Sequence, residues 1–246
     1  MYASQDRLVI VDADGTLVDA FEAMETTFAR HGMDLGDLDR FQKRRHLFKY
    51  LGGLREFPGN LARNLRKGMR RTLLGTLTEV YREEARLYPG MADLLRDLID
   101  VPDVRVGMVT RNVTHEPDIT LTRLFARHDV DLGRCDFLHH IPLGETKAAC
   151  FKAVRERLAV HPARGYACGD EHKDYAAALA AGLYPMIVSY GFESHARLTG
   201  RFAIPEENLS RTPQAFAASL RQALDLSTQM TVTDRPSMLK SAQPGH

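Results

Sequence analysis

The stretch with the clearest chemical potential is Asp12-Ala13-Asp14-Gly15-Thr16, close to the start of the chain. In an extended segment, residues i and i+2 point the same way, so Asp12 and Asp14 can face one site. Two carboxylates that close repel each other unless a cation or a shared proton compensates. A hard divalent cation such as Mg2+ takes oxygen ligands and suits such a pair. Gly15 permits a tight turn and close approach of a ligand. A second acidic pair, Asp170 and Asp174, sits in Gly169-Asp-Glu-His-Lys-Asp. If that segment begins a helix, the spacing puts both side chains on one face. Helix capping accounts for this pair on its own; metal binding gains weight because the first pair needs a cation. Lys147 lies between the two motifs, where an ammonium could neutralise a carboxylate and a bound anion together.

These residues need a scaffold that brings them to one place. Leu8 to Val11 is a short apolar run, which predicts a buried parallel strand. Further strands are predicted at Val104 to Val109, Phe137 to Ile141, Gly165 to Cys168 and Met186 to Ser189. Helical patterns occupy Met91 to Ile99, Thr120 to His128, Lys147 to Leu158 and Tyr175 to Ala181. A last helix lies within Leu209 to Leu226, opened by Thr212-Pro213. Alternating strands and helices predict an α/β, doubly wound parallel sheet. In such sheets ligands bind beyond the carboxyl ends of the strands. Asp12, Thr110 and Asp170 all fall just past a predicted strand, so three strand ends would present polar groups to one crevice.

Asp-x-Asp-Gly-Thr, a strand-ending Thr110, Lys147 and Gly-Asp-x-x-x-Asp, in that order, resemble the haloacid dehalogenase-like hydrolase superfamily from about Leu8 to Ser189. The resemblance implies a Rossmann-like core with an inserted cap. It implies that Asp12 is a nucleophile forming an aspartyl-phosphate and that Asp14 is the acid/base. Thr110 and Lys147 would hold phosphoryl oxygens, with Gly15, Thr16, Arg111 and Asn112 as further substrate contacts. Mg2+ would be bound by Asp12, the backbone carbonyl of Asp14, and Asp170, with Asp174 as a further or outer ligand. Dehalogenase members lack an acid two residues after the nucleophile, so Asp14 argues for phosphate esters. Lys147 is followed by Ala-Ala rather than the Pro-x-Pro frequent among relatives; Lys152 is the rival for its role.

From about Asp19 to Leu87 there is no strand pattern, only helical ones such as Ala20 to His31 and Thr72 to Leu87. We read 20–87 as an inserted α-helical cap domain, 1–19 with 88–226 as the core, and 227–246, rich in Ser, Thr, Gln, Pro and Gly, as a disordered tail. The insert, closed by Tyr88-Pro89-Gly90, is similar to the cap of phosphoglycolate phosphatase-like members. The whole chain carries a net charge of +1, yet Arg30 to Leu87 holds 14 Lys/Arg against 7 Asp/Glu. A local positive field favours an anionic ligand, and Arg45, Lys49 and Arg55 are candidates to clamp one. Three cysteines without metal spacing fit a reducing compartment. With no signal peptide and no stretch of about 18 apolar residues, the chain reads as soluble and cytoplasmic, without a membrane partner. The expected partner is a small phosphorylated substrate. A sugar-phosphate mutase on the same scaffold needs Asp14 equally. A nucleic-acid end phosphatase or binding protein is disfavoured, because the insert's arginines lack an aromatic interleave.

Overall fold

The computed structural model describes residues 5–33, 51, 69–142 and 144–226. Six strands are seen among them: β1 (Arg7–Val11), β2 (Val104–Thr110), β3 (Phe137–His140), β4 (Gly165–Gly169), β5 (Tyr184–Val188) and β6 (Leu209–Ser210). They form one sheet in the order β3-β2-β1-β4-β5-β6, and every neighbouring pair is parallel. The helices described are α1 (Ala20–Ala29), α2 (Met69–Glu83), α3 (Met91–Asp100), α4 (Pro117–Ala126), α5 (Lys147–Arg157), α6 (His172–Ala180), α7 (His195–Gly200) and α8 (Pro213–Ala223).

Alternation along β1 explains the layering. Side chains in a strand point to opposite faces in turn. Val9 and Val11 enter a core built with α1 to α4 and α8, whereas Leu8 and Ile10 enter a second core with Phe151 and Val154 of α5 and Ala177 and Ala178 of α6. Both faces of the strand are therefore dry, which is why it reads as an unbroken apolar run rather than an alternating one. The result is a three-layer α/β sandwich, the doubly wound arrangement expected from sequence. Between β1 and β2 in the chain, α1 and α2 pack on each other, and Phe21, Phe28, Leu73 and Leu77 share the first of these cores.

Two elements differ from the sequence expectation. Leu209 and Ser210 pair with Ile187 and Val188 as an edge strand before α8 begins at Pro213. A two-residue strand leaves no periodic trace, so its residues were folded into the helical pattern that follows. The six-residue α7 is likewise too short to show a period. Thr212 does cap α8, its hydroxyl accepting from Ala215 N at 3.1 Å. Residues 227–246 lie outside the described residues. Among the described residues no helix is long and apolar enough to cross a membrane.

Candidate active site

The strand order reverses direction between β1 and β4, the place where an open α/β sheet leaves a crevice at its carboxyl edge. Asp12 leaves β1 there, and Asp170 leaves β4. The ladder runs one residue into the loop, with Asp12 N donating to Cys168 O at 2.9 Å. The chain then turns sharply: Leu17 N and Val18 N both donate to Ala13 O at 2.9 Å. Gly15 carries φ +78° in this turn, and a Cβ on it would lie 2.3 Å from Asp170 Oδ2. Only glycine meets both demands, so the turn's tightness is what seats the first acidic motif on the second.

Lys147 is the first residue of α5 and is buried. Its Nζ lies 2.5 Å from Asp12 Oδ2 and 2.7 Å from Asp174 Oδ1. Asp174 Oδ2 accepts from Glu171 N at 3.1 Å in a capping box that starts α6. Asp170 precedes this helix instead of riding on it, so the two acids converge from a strand end and a helix turn, not from one helix face. Phe192 N donates to Asp170 Oδ2, while the buried Oδ1 has no hydrogen-bond partner among the described residues. Carboxylate oxygens of Asp12, Asp170 and Asp174 all lie within 4.8 Å of one another.

Three acids thus cluster beside one ammonium, which pairs with two of them. Burial pushes Asp12 up to about 7; Lys147 pulls against that, and Asp174 and Asp14 add to it. Asp170 is raised well above the carboxylate range, first by burial and then by Glu171, Asp174 and Asp12. Burial acts to lower Lys147, but Asp12 and Asp174 outweigh it and hold the ammonium charged. The surplus negative charge and the orphaned Asp170 Oδ1 are what a hard divalent cation would satisfy, and an all-oxygen donor set suits one. The residues therefore fit a metal. Asp12 is also the most open of the acids, with 12% of its side chain exposed against 3% for Asp174.

Asp14 has different company. Tyr81 OH of α2 donates to its Oδ1 at 2.8 Å, and Asn112 Nδ2 reaches Oδ1 at 3.1 Å and Oδ2 at 3.0 Å. Burial raises it to about 6, opposed by those same donors from Tyr81 and Asn112. The two carboxylates of the first motif are neighbours with separate partners, not a matched pair on one cation.

Thr110 ends β2, fully buried, its hydroxyl accepting from Asn112 N at 3.2 Å. Arg111 donates to Glu145 O at 2.7 Å. Thr16 is buried, and its carbonyl accepts from Tyr190 OH at 3.0 Å. Asn112, expected among substrate contacts, spends its amide on Asp14. Lys152 is 60% exposed beside Glu156, away from the acids. Arg45, Lys49 and Arg55 lie outside the described residues. Sequence reasoning missed Tyr81, which at helical spacing among apolar residues reads as core, and the Gly191-Phe192 turn that braces Asp170. In the turn, Gly191 was the available signal: its position after a strand marks a close approach.

A family model for haloacid dehalogenase-like hydrolases matches residues 7–182. No curated protein matches the chain. Solved structures share the fold at low identity. A predicted phosphoglycolate phosphatase from Haemophilus somnus is 18% identical over 89% of this chain and 99% of its own, with a TM-score of 0.60. A haloacid dehalogenase-like hydrolase from Streptococcus pneumoniae is 20% identical over 87% and 98%, with a TM-score of 0.58. A protein described as a β-phosphoglucomutase from Thermotoga maritima is 18% identical over 88% and 99%, also at 0.58. With the matched family model spanning the strands that carry both acidic motifs, the chain belongs to the haloacid dehalogenase-like hydrolases.

Proposed function

We propose that the protein is a Mg2+-dependent phosphomonoester hydrolase acting on a small phosphorylated metabolite, with Asp12 as nucleophile and Asp14 as acid/base. The observation that carries this reading is Lys147 bridging Asp12 and Asp174 beside an unsatisfied Asp170, all at the sheet's switch point. Asp12, Asp170, the Asp14 carbonyl and, further out, Asp174 would hold the cation. When bound, Mg2+ supplies charge neutralisation on the transferring group, so that a carboxylate can approach an anion.

Lys147 favours the ionised form of Asp12 against burial, and Asp12 is the least buried of the three clustered acids, as suits a nucleophile. Its carboxylate oxygen attacks phosphorus, the bond from phosphorus to the ester oxygen breaks, and that oxygen takes a proton from Asp14. In the second step Asp14 takes a proton from water, the hydroxide oxygen attacks phosphorus, and the acyl-phosphate bond to Asp12 breaks, releasing inorganic phosphate. Thr110 and Lys147 hold phosphoryl oxygens through both steps, and Gly15, Thr16 and Arg111 line the same strand ends. Residues 20–87 act as the cap and 1–19 with 88–226 as the core; Arg45, Lys49 and Arg55 of the cap are proposed to meet the rest of the substrate.

Steady release of inorganic phosphate from a panel of phosphate esters tests this reading. Activity is expected with Mg2+, to vanish with EDTA, and to fall by about four orders of magnitude or more in Asp12→Asn. An Asp12→Asn variant that keeps a tenth of the wild-type rate sinks the nucleophile assignment. Formation of a phosphate isomer without phosphate release would turn the reading into the mutase alternative.

A further inference from the structure

We propose that Tyr81 and Asn112 are positioning residues for the acid/base, with Tyr81 carrying that control from the insert into the core. This deepens the phosphatase reading and rests on it. Tyr81 is fully buried on α2, and its hydroxyl donates to Asp14 Oδ1 at 2.8 Å. A carboxylate oxygen offers about two lone-pair directions. Asp14 Oδ1 uses both, one for Tyr81 and one for Asn112, whereas Oδ2 receives Asn112 alone. The pair therefore fixes the carboxyl plane and leaves Oδ2 as the atom with a free direction for a leaving-group oxygen or a water. Without Tyr81, Asp14 could swing about its χ angles and present either oxygen.

Both positioning residues are themselves held. Asn112 Oδ1 accepts from Thr114 N at 3.0 Å and from the Thr114 hydroxyl, which sets its amide toward Asp14. The next residue ties back to α2, with His115 N donating to Thr78 Oγ1 at 3.0 Å, one turn before Tyr81. One turn of α2 and the loop after β2 thus close around Asp14 as a unit. A helix that belongs to the insert sets the geometry of a group that belongs to the core.

The test is leaving-group dependence, because a good leaving group needs little protonation and a poor one needs much. Wild type, Tyr81→Phe and Asn112→Ser are compared on 4-nitrophenyl phosphate and on a simple alkyl phosphate with saturating Mg2+. Tyr81→Phe should lower kcat/KM, which reads the steps up to formation of the aspartyl-phosphate, on the alkyl ester by about ten- to a hundredfold, the loss expected when a hydrogen bond to a charged group goes. The same variant should lower kcat/KM on the nitrophenyl ester by less than about threefold. In an Asp14→Asn background, Tyr81→Phe should add no further loss, since it acts only through Asp14. Asn112→Ser should show the same ester bias, which keeps the test open if Tyr81→Phe does not fold. Equal losses of kcat/KM on both esters, or losses that add in the Asp14→Asn background, overturn the positioning role and leave the phosphatase reading standing. No hydrolysis of either ester by the wild type sinks the phosphatase reading and takes this assignment with it.

Discussion

Asp12 and Asp14 stand two residues apart in one turn and live in different electrostatic worlds. Asp12 is met by a charge, the Lys147 ammonium at 2.5 Å, while Asp14 is met by neutral donors from Tyr81 and Asn112. A full opposite charge favours the ionised form of a nucleophile. Neutral donors orient a carboxyl group while leaving it free to change protonation, which is what an acid/base needs. Burial raises both, to about 7 and about 6. The partners of the two carboxylates are delivered by different parts of the fold: α5 brings Lys147 to one, and α2 with the loop after β2 brings donors to the other. Under the proposed function, two identical residue types take two chemical roles through topology.

The harshest way to break this contrast is to remove the charge on the Asp12 side. Lys147→Met leaves Asp12 and Asp174 buried without their shared ammonium. Breaking a buried pair by deleting one partner costs about 3–5 kcal/mol, because the remaining charge is uncompensated. Urea denaturation in EDTA should show a loss of that size, and saturating Mg2+ should restore part of it by supplying another cation. A change below about 1 kcal/mol in EDTA would mean that Lys147 does not organise the cluster.

How much of this was legible beforehand depends on the range of the interaction concerned. Leu8 to Val11 announced β1 because burial on both faces makes an apolar run, and Gly15 announced the turn because its backbone conformation is rare for other residues. Asp12, Lys147, Asp170 and Asp174 each carried a chemically unusual type at a strand or helix end, and those ends meet. Tyr81 could not be found this way. Its neighbours Leu73, Leu77 and Val80 are buried at helical spacing, so the tyrosine looks like another core residue until its hydroxyl's partner, 67 positions away, is known. The register of β6 and the bracing of Asp170 by Phe192 are equally products of tertiary contact.

Mg2+ itself offers a gentler way to separate the two carboxylates. A ligand that binds only the folded state stabilises it by about 2.7 kcal/mol at a hundred times its Kd. Thermal melts with and without Mg2+ should show such an increment in the wild type. Asp170→Asn should lose it, since Asp170 lends the cluster its unsatisfied oxygen, whereas Asp14→Asn should keep it, since that carboxylate faces Tyr81 and Asn112. The pH dependence follows from the direction of the shifts. A carboxyl raised in the fold binds a proton between its ordinary pKa of 3.8 and its folded value of about 7, as Asp12 does. In that window the cation must displace the proton, so the Mg2+ increment should be small near pH 4 and grow as pH rises through about 7. An increment equal in Asp170→Asn and wild type, or one that shrinks as pH rises, would place the cation elsewhere.

The smallest change tests whether the acidic cluster is held by backbone shape as well as by charge. Gly191 follows β5, and a Cβ there would lie 2.3 Å from Gly15 O, 2.4 Å from Asp170 Oδ2 and 2.5 Å from Asp170 Cβ. Two of those three atoms belong to the acid that Phe192 N braces, and the third belongs to the turn after Asp12. Gly191→Ala must therefore move Asp170 or part the two loops, at about 1–3 kcal/mol for an overpacked site. Where Asp170 is what moves, the displacement falls on the metal side of the motif and leaves the Tyr81 and Asn112 contacts alone. Urea denaturation should register the stability loss, and the Mg2+ concentration needed for half-maximal activity should rise, while the ratio of rates on alkyl and nitrophenyl phosphates stays at the wild-type value. A change in that ratio would show that the two carboxylates are coupled through the turn and do not respond to separate partners.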